Sequence, residues 1–171
     1  EPQLTALIQK MARELNLNKI QVYVYKIKQI NGIASPDGRI YLTEGFLDAY
    51  YSGRVTASEL STVIAHELGH IKSGHVLYYY LAQNLGDFLL IAGQLSLGIG
   101  ALAGNGIKYA LFYWRRMSEF TADRAGLLVS QDTSICMRSL IKCSGLPLDN
   151  IEIKKFEKSF IKQAEDFEDF D

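Results

Sequence analysis

Residues 56–75 read TASELSTVIAHELGHIKSGH and predict one of two central helices. Thr56 and Glu59 have the T-x-x-E spacing of an N-terminal capping box. Apolar side chains then recur at helical spacing along the stretch. The pattern predicts an amphipathic helix that begins after Thr56 and runs to about Leu85.

This predicted helix carries His66, Glu67 and His70 in the order H-E-x-x-H. The i, i+4 spacing places both imidazoles on one face, one turn apart, where two nitrogens can reach one Zn²⁺ at about 2.0–2.1 Å. Glu67 lies about 100° around the helix, within reach of a water on the metal rather than of the metal itself. Zinc lowers the pKa of such a water, and the carboxylate takes its proton. The motif therefore predicts hydrolysis that depends on one zinc ion per chain.

A catalytic zinc needs a third protein ligand and keeps one position open for water. The chain's remaining histidine, His75, points about 140° away from His70 on an ideal helix and is a poor ligand. Glu119 and Asp123 lie one turn apart on a second predicted helix, with Arg116 one turn earlier. Glu119 could bind the metal while Asp123 accepts the free N–H of a ligating histidine. The acidic alternatives that periodicity leaves open are Glu44, Asp48 and Asp87.

The rest of the sequence predicts a mainly helical α+β domain over residues 1–171. We expect two strands, at 20–28 and 39–43, to pair in a small antiparallel sheet. An acidic tail at 165–171 is expected to fray. The other predicted helices cover residues 4–15, 46–51, 107–130, 132–145 and 153–167.

Residues 88–107 contain no charged side chain and are about long enough to cross a bilayer once. A single crossing would place His66 and the 107–130 helix on opposite sides of the membrane, which is incompatible with one shared metal site. Two crossings need roughly 40 residues, more than this stretch provides. We therefore expect a buried hairpin, or an apolar flap that touches a membrane or a partner.

Composition narrows the class of protein. The net charge of −1 gives no reason to expect nucleic acid as a partner, and the 48% apolar content argues against disorder. Cys136 and Cys143 lie too far apart on a predicted helix for a disulfide, which favours a reducing compartment. Glu1 is not an initiator, so we expect a longer chain whose flanks could hold a signal or an anchor. The localisation stays open between the cytoplasm and a membrane surface.

Together these motifs resemble those of the gluzincin peptidases of the HtpX, Oma and CAAX prenyl protease type, peptidase family M forty-eight. Residues 65–75 are similar to the family's metal-binding helix, including its third histidine. Residues 118–123, preceded by Arg116, are similar to its E-x-x-x-D helix. Residues 31–34 lie where the family has an asparagine, an aromatic residue and an alanine beside the site, with Ile33 in place of the aromatic residue.

The resemblance implies a zincin-like fold and a zinc endopeptidase, with Glu119 as third ligand and Asp123 supporting a ligating histidine. It also makes His75 and Arg116 candidates for positioning the site or stabilising an oxyanion; packing or solvation is the alternative for both. The stretch implied to line the cleft, where a substrate strand can add, is Asn31, Gly32, Ile33 and Ala34.

The implied substrates are polypeptides in protein quality control or membrane-linked proteolysis. The loop between the two metal-site helices lacks room for the paired transmembrane helices of HtpX, so the chain resembles the compact soluble or peripheral members. Another class of function is a zinc-stabilised binding or chaperone-like module without turnover. Glu67 argues against that class, because a structural zinc site has no use for a general base.

Overall fold

The computed structural model describes residues 2–95, 99–146 and 150–168, and most of these residues are helical. The expected mainly helical α+β fold is confirmed. The acidic tail is helical to residue 168, and residues 169–171, where fraying was expected, lie outside the described ranges. The elements are α1 (Pro2–Glu14), β1 (Gln21–Tyr25), β2 (Gly32–Ala34), β3 (Arg39–Thr43), α2 (Glu44–Tyr51), α3 (Ala57–Lys72), α4 (His75–Leu95), α5 (Ile99–Ser130), α6 (Thr133–Cys143) and α7 (Asn150–Glu168).

The sheet is mixed, with β3 between the other two strands. β2 pairs antiparallel with β3, and β1 pairs parallel with it. The expectation of a wholly antiparallel sheet is therefore wrong for β1. Two successive reversals of the chain, one before and one after β2, return β3 to the direction of β1. The sequence did not predict β2 as a strand, because it is three residues long and begins with Gly32.

The central helix α3 begins with the predicted capping box. Glu59 N–H donates to Thr56 Oγ1 over 3.2 Å, and Thr56 N–H donates to Glu59 Oε2 over 2.7 Å. Its apolar face is buried in a core shared with α1, α2 and β3. The helix ends at Lys72 rather than near residue 85, because Gly74 adopts a left-handed φ of +67°. The next helix, α4, starts at His75.

The apolar stretch at 88–107 contributes to two helices. α4 and α5 pack along each other as a helical hairpin, and their connection at 96–98 lies outside the described residues. Phe88 and Ile91 are 65% and 63% exposed, so the hairpin is not buried at these positions. Within the part of the chain that the structure describes, no helix is long and apolar enough to cross a membrane.

Helix α6 begins at its predicted cap, where Asp132 Oδ1 accepts two backbone N–H groups over 2.8 and 3.2 Å. Lys142 then ties α6 to α3, because its Nζ lies 2.8 Å from Oε1 of the buried Glu59. This ion pair holds α6 behind the central helix. Cys136 and Cys143, which also lie on α6, are free thiols.

Helices α3 and α5 cross at very short range because small residues meet at the contact. A Cβ at Gly69 would lie 3.0 Å from the Cβ of Ala125 and 3.3 Å from the Cα of Ala122. A Cβ at Gly126 would lie 3.2 Å from the carbonyl oxygen of Thr62. The crossing therefore depends on glycine, and it turns one face of α5 toward α3.

Two glycine substitutions on α5 test this crossing. Gly106 has open space around its Cβ position, so Gly106→Ala should raise the free energy of unfolding by about 1 kcal/mol through helix propensity. Gly126→Ala gains the same propensity but overpacks the crossing, so it should be about 1–3 kcal/mol less stable than Gly106→Ala. Urea unfolding followed by circular dichroism measures the difference. Equal stability of the two variants would contradict the packing described.

Candidate metal centre

Three donor atoms from α3 and α5 converge on one point. His66 Nε2 and His70 Nε2 lie 3.0 Å apart, and Glu119 Oε2 lies 3.5 and 3.6 Å from them. Zinc held tetrahedrally by ligands at about 2.0–2.2 Å separates neighbouring donors by about 3.3–3.6 Å. The donor types and the two distances to Glu119 fit a zinc ion, whereas the two histidine nitrogens would have to separate by a few tenths of an ångström to share it. Among the described residues this is the one such cluster of three.

The three metal-binding side chains are open to solvent on one side. The side chains of His66 and His70 are 14% and 12% exposed, whereas that of Glu119 is 48% exposed. The α3 residues are held by its capping and its buried apolar face, and the glycine-dependent crossing brings Glu119 opposite them. The open side leaves room for a fourth ligand.

Asp123 lies one turn after Glu119 and faces the other nitrogen of His66. Its Oδ1 is 2.9 Å from His66 Nδ1, but the pair falls short of hydrogen-bond geometry. Both atoms are buried, and neither has a hydrogen-bonding partner within the described ranges. The carboxylate can accept the Nδ1 proton and so leave Nε2 free for a metal.

The carboxylates around His66 control its protonation. Burial lowers the pKa of His66, but the neighbouring carboxylates of Asp123 and Glu119 outweigh this effect and raise the pKa to about 9. The adjacent imidazoles of His66 and His70 hold the pKa of Glu119 far below its usual range. A cation is therefore favoured between these groups, and a metal would compete there with a proton on His66.

Glu67 lies beneath the cleft and is 8% exposed. Burial raises the pKa of its carboxyl group, while the two metal-site histidines and a backbone hydrogen bond from Ala34 oppose the shift. A Cβ on Gly32 would lie 3.2 Å from Glu67 Cγ, so the glycine lets β2 pass directly over this side chain. A carboxylate with a raised pKa is well matched to accepting and returning a proton.

Among the described residues, no strand pairs with the edge of β2 that faces the cleft. Thr43 N–H donates to Asn31 O and Ser35 N–H to Arg39 O, so alternate residues from Asn31 onward bond to β3. The peptide groups of Gly32 and Ala34 therefore point to the free edge. All four residues of the predicted stretch 31–34 line the same cleft, of about 440 Å³, as the metal group.

His75 lies closer to the site than ideal helix geometry predicts, because the chain breaks at Gly74. Its Nδ1 is 3.1 Å from His70 Nδ1, and its ring meets Trp114 edge-to-face at 5.8 Å. Burial, followed by the charge of His70, lowers the pKa of His75. A neutral His75 can accept the proton of His70 Nδ1, as Asp123 can for His66.

The two arginines before Glu119 occupy different places. The guanidinium of Arg116 stands 5.7 Å from the ring centroid of Phe120, and Arg116 is not among the residues that line the cleft. Arg115 and Tyr79 line it instead, and sequence reasoning missed Arg115. The available signal was the spacing of Arg115, four residues before Glu119, which is the same spacing that selected Asp123.

The acidic alternatives to Glu119 have other partners or positions. Glu44 and Asp48 both pair with Lys28, at 3.2 and 3.3 Å, on the surface of α2. Asp87 is exposed on α4. The described residues therefore bring Glu119, and none of these three, to the histidines.

Comparisons with known proteins identify the family of the chain. The model of "Peptidase family M48" matches residues 1–164. The plastoglobule-localized metallopeptidase 48 of Arabidopsis thaliana is 34% identical over 53% of this chain and 25% of its own length. Protease HtpX homolog of Aquifex aeolicus is 31% identical over 61% of this chain and 35% of its own length.

A third relative matches more of the chain. Protease HtpX homolog 2 of Methanosarcina mazei is 24% identical over 85% of this chain and 56% of its own length. The chain thus spans between a quarter and somewhat over half of the length of these relatives. The family match covers almost the whole sequence and includes both helices of the metal group, so the chain belongs to peptidase family M48.

Proposed function

We propose that the chain is the catalytic domain of a zinc-dependent endopeptidase that binds one ion through His66, His70 and Glu119. The observation that carries the proposal is the spacing of these three donor atoms beside the buried carboxylate of Glu67. Membership of a peptidase family, and relatives named as metallopeptidases, support it. Bound zinc would polarise the scissile carbonyl and acidify a water.

In this proposal Glu67 moves the protons of peptide hydrolysis. It takes a proton as the water oxygen attacks the carbonyl carbon, and it gives that proton to the amine nitrogen as the C–N bond breaks. Its raised pKa suits both steps, because a more basic carboxylate accepts the proton more readily and holds it until the amine leaves. The packing of Gly32 against its side chain keeps the carboxylate in place.

The proposed substrate is an extended polypeptide that adds to the free edge of β2. The N–H and C=O of Gly32 and the C=O of Ala34 are available for main-chain hydrogen bonds, while the N–H of Ala34 already serves Glu67. Strand addition recognises backbone and requires an unfolded segment. Such recognition suits protein quality control, or proteolysis close to a membrane.

Two further residues position the histidines in this proposal. Asp123 fixes His66 and His75 fixes His70, each through the Nδ1 that faces away from the metal. Each contact selects the tautomer with a free Nε2. The supporting role of Arg116 stays a prediction. Its guanidinium lies over the ring of Phe120.

A zinc-stabilised binding or chaperone-like module is the second candidate. The exposed apolar side chains of the α4–α5 hairpin favour it, since they offer a surface for other apolar groups. The buried Glu67 beside the metal group favours the peptidase, because a binding module has no need of a buried carboxylate there.

Glu67→Gln separates catalysis from metal binding. We expect zinc to bind as in the parent, while cleavage of denatured casein falls at least about a thousandfold through loss of the proton carrier. Zinc content by elemental analysis and peptide release by fluorescence measure the two effects. Glu44→Gln, on the surface of α2, is the matched control and should cleave normally. Cleavage by Glu67→Gln at the parental rate would rule out the proposed role.

Asp123→Asn tests the support of His66 without touching a ligand atom. The amide cannot replace the carboxylate as acceptor for an imidazole bound to a cation, so zinc affinity should fall about 10–100-fold. Competition with a chromogenic chelator measures the affinity. Asp48→Asn removes a comparable surface carboxylate and should leave it unchanged. Equal affinities in all three proteins would show that Asp123 has no such role.

We also propose that the α4–α5 hairpin touches membranes peripherally. Phe88 and Ile91 project from a stretch without charges, as a shallow interfacial contact requires. The parent should sediment with phosphatidylglycerol-containing vesicles, and the Phe88→Ser/Ile91→Ser double variant should not. Leu128→Ser removes an exposed leucine far along α5 and is the control. Equal sedimentation of parent and double variant would contradict the contact.

A further inference from the structure

Arg115 stands in the wall of the cleft, one helical turn before Glu119 on the same face of α5. Its guanidinium carbon lies 5.0 Å from the ring centroid of Tyr79, and Nη1 donates to Tyr79 Oη over 3.3 Å. Gln83 Nε2 also donates to this oxygen over 2.9 Å. The arginine is therefore held against a tyrosine that has its own anchor on α4.

The charge of Arg115 has no carboxylate partner in the described part of the chain. Other cations do have one: Arg138 pairs with Glu157, and Lys142 with Glu59. Tyr79 supplies a ring face and a neutral oxygen, which orient the guanidinium but do not neutralise it. Since the guanidinium has five N–H donors, several remain free for a ligand in the cleft.

We propose that Arg115, oriented by Tyr79, recognises a carboxylate of the peptide substrate. The inference rests on the proposed peptidase function and adds a specificity to it. A guanidinium fork matches a carboxylate in two parallel hydrogen bonds. Residues one turn apart on a helix have Cβ atoms about 5–6 Å apart, and an extended peptide advances about 3.3 Å per residue. The carboxylate thus lies about two or three residues from the scissile bond.

An acidic side chain or the C-terminal carboxylate of the substrate can supply this group. A fluorogenic peptide series distinguishes the two sources. One arm moves a single Glu through each position of a fixed peptide, with Gln in its place as reference. The other arm compares free and amidated C-termini.

The parent should prefer one Glu position, or the free C-terminus, by about tenfold in kcat/KM. The gain should appear mainly in KM, because the contact is remote from the reacting atoms and is made equally in the ground state and the transition state. Arg115→Glu should reverse the preference at that position toward Lys. Arg124→Glu makes the same charge change on an exposed part of α5 outside the cleft, and should keep the parental preference.

A binding measurement separates failure of this inference from failure of the proposed function. Fluorescence anisotropy with Glu67→Gln should give about tenfold tighter binding of the preferred peptide than of its neutral analogue. If the parent does not cleave these peptides while Glu67→Gln still binds selectively, the peptidase function is rejected and the carboxylate subsite is retained. Less than twofold discrimination in both assays, or an unchanged preference in Arg115→Glu, would overturn the inference.

Discussion

The close crossing of α3 and α5 is the constraint on which the site depends. Gly69 meets Ala122 and Ala125, and Gly126 meets the backbone of Thr62, at distances where a further methyl group would push its neighbours away by a few tenths of an ångström. The metal group needs atoms from both helices within a few ångströms, so the separation of the helix axes limits the position of Glu119. Larger residues at the crossing would move the third donor away from the two histidines, even with every donor residue intact.

Around this crossing the chain arranges charge so that a cation is favoured. Two histidines face Glu119, and a second carboxylate stands behind His66. Without a metal, the carboxylates keep His66 protonated, with a pKa of about 9. The same carboxylate charges that hold this proton would also attract a metal ion. Glu67 is more deeply buried than Glu119. The pKa of the Glu67 carboxyl group is raised, whereas that of Glu119 is lowered.

Sequence patterns with local causes predicted the structure well. The capping box, the cap at Asp132 and the H-E-x-x-H face follow from spacing along single helices. Features that depend on chain reversals or on contacts between elements were harder to predict from the sequence. The break at Gly74, which brings His75 to His70, requires a left-handed glycine inside a continuous apolar pattern. The parallel pairing of β1 depends on a three-residue strand that no periodicity indicates. The spacing of Arg115 to Glu119 could have placed it on the cleft, but the contact that orients it comes from Tyr79 on another helix.

Anomalous diffraction at the zinc absorption edge, from crystals of protein purified without added metal, would show whether α3 and α5 hold zinc between them. We expect one zinc ion per chain within about 2.0–2.2 Å of His66 Nε2, His70 Nε2 and a Glu119 oxygen, with a further position open to the cleft. An anomalous peak elsewhere, or an ion on the two histidines with Glu119 turned away, would contradict it.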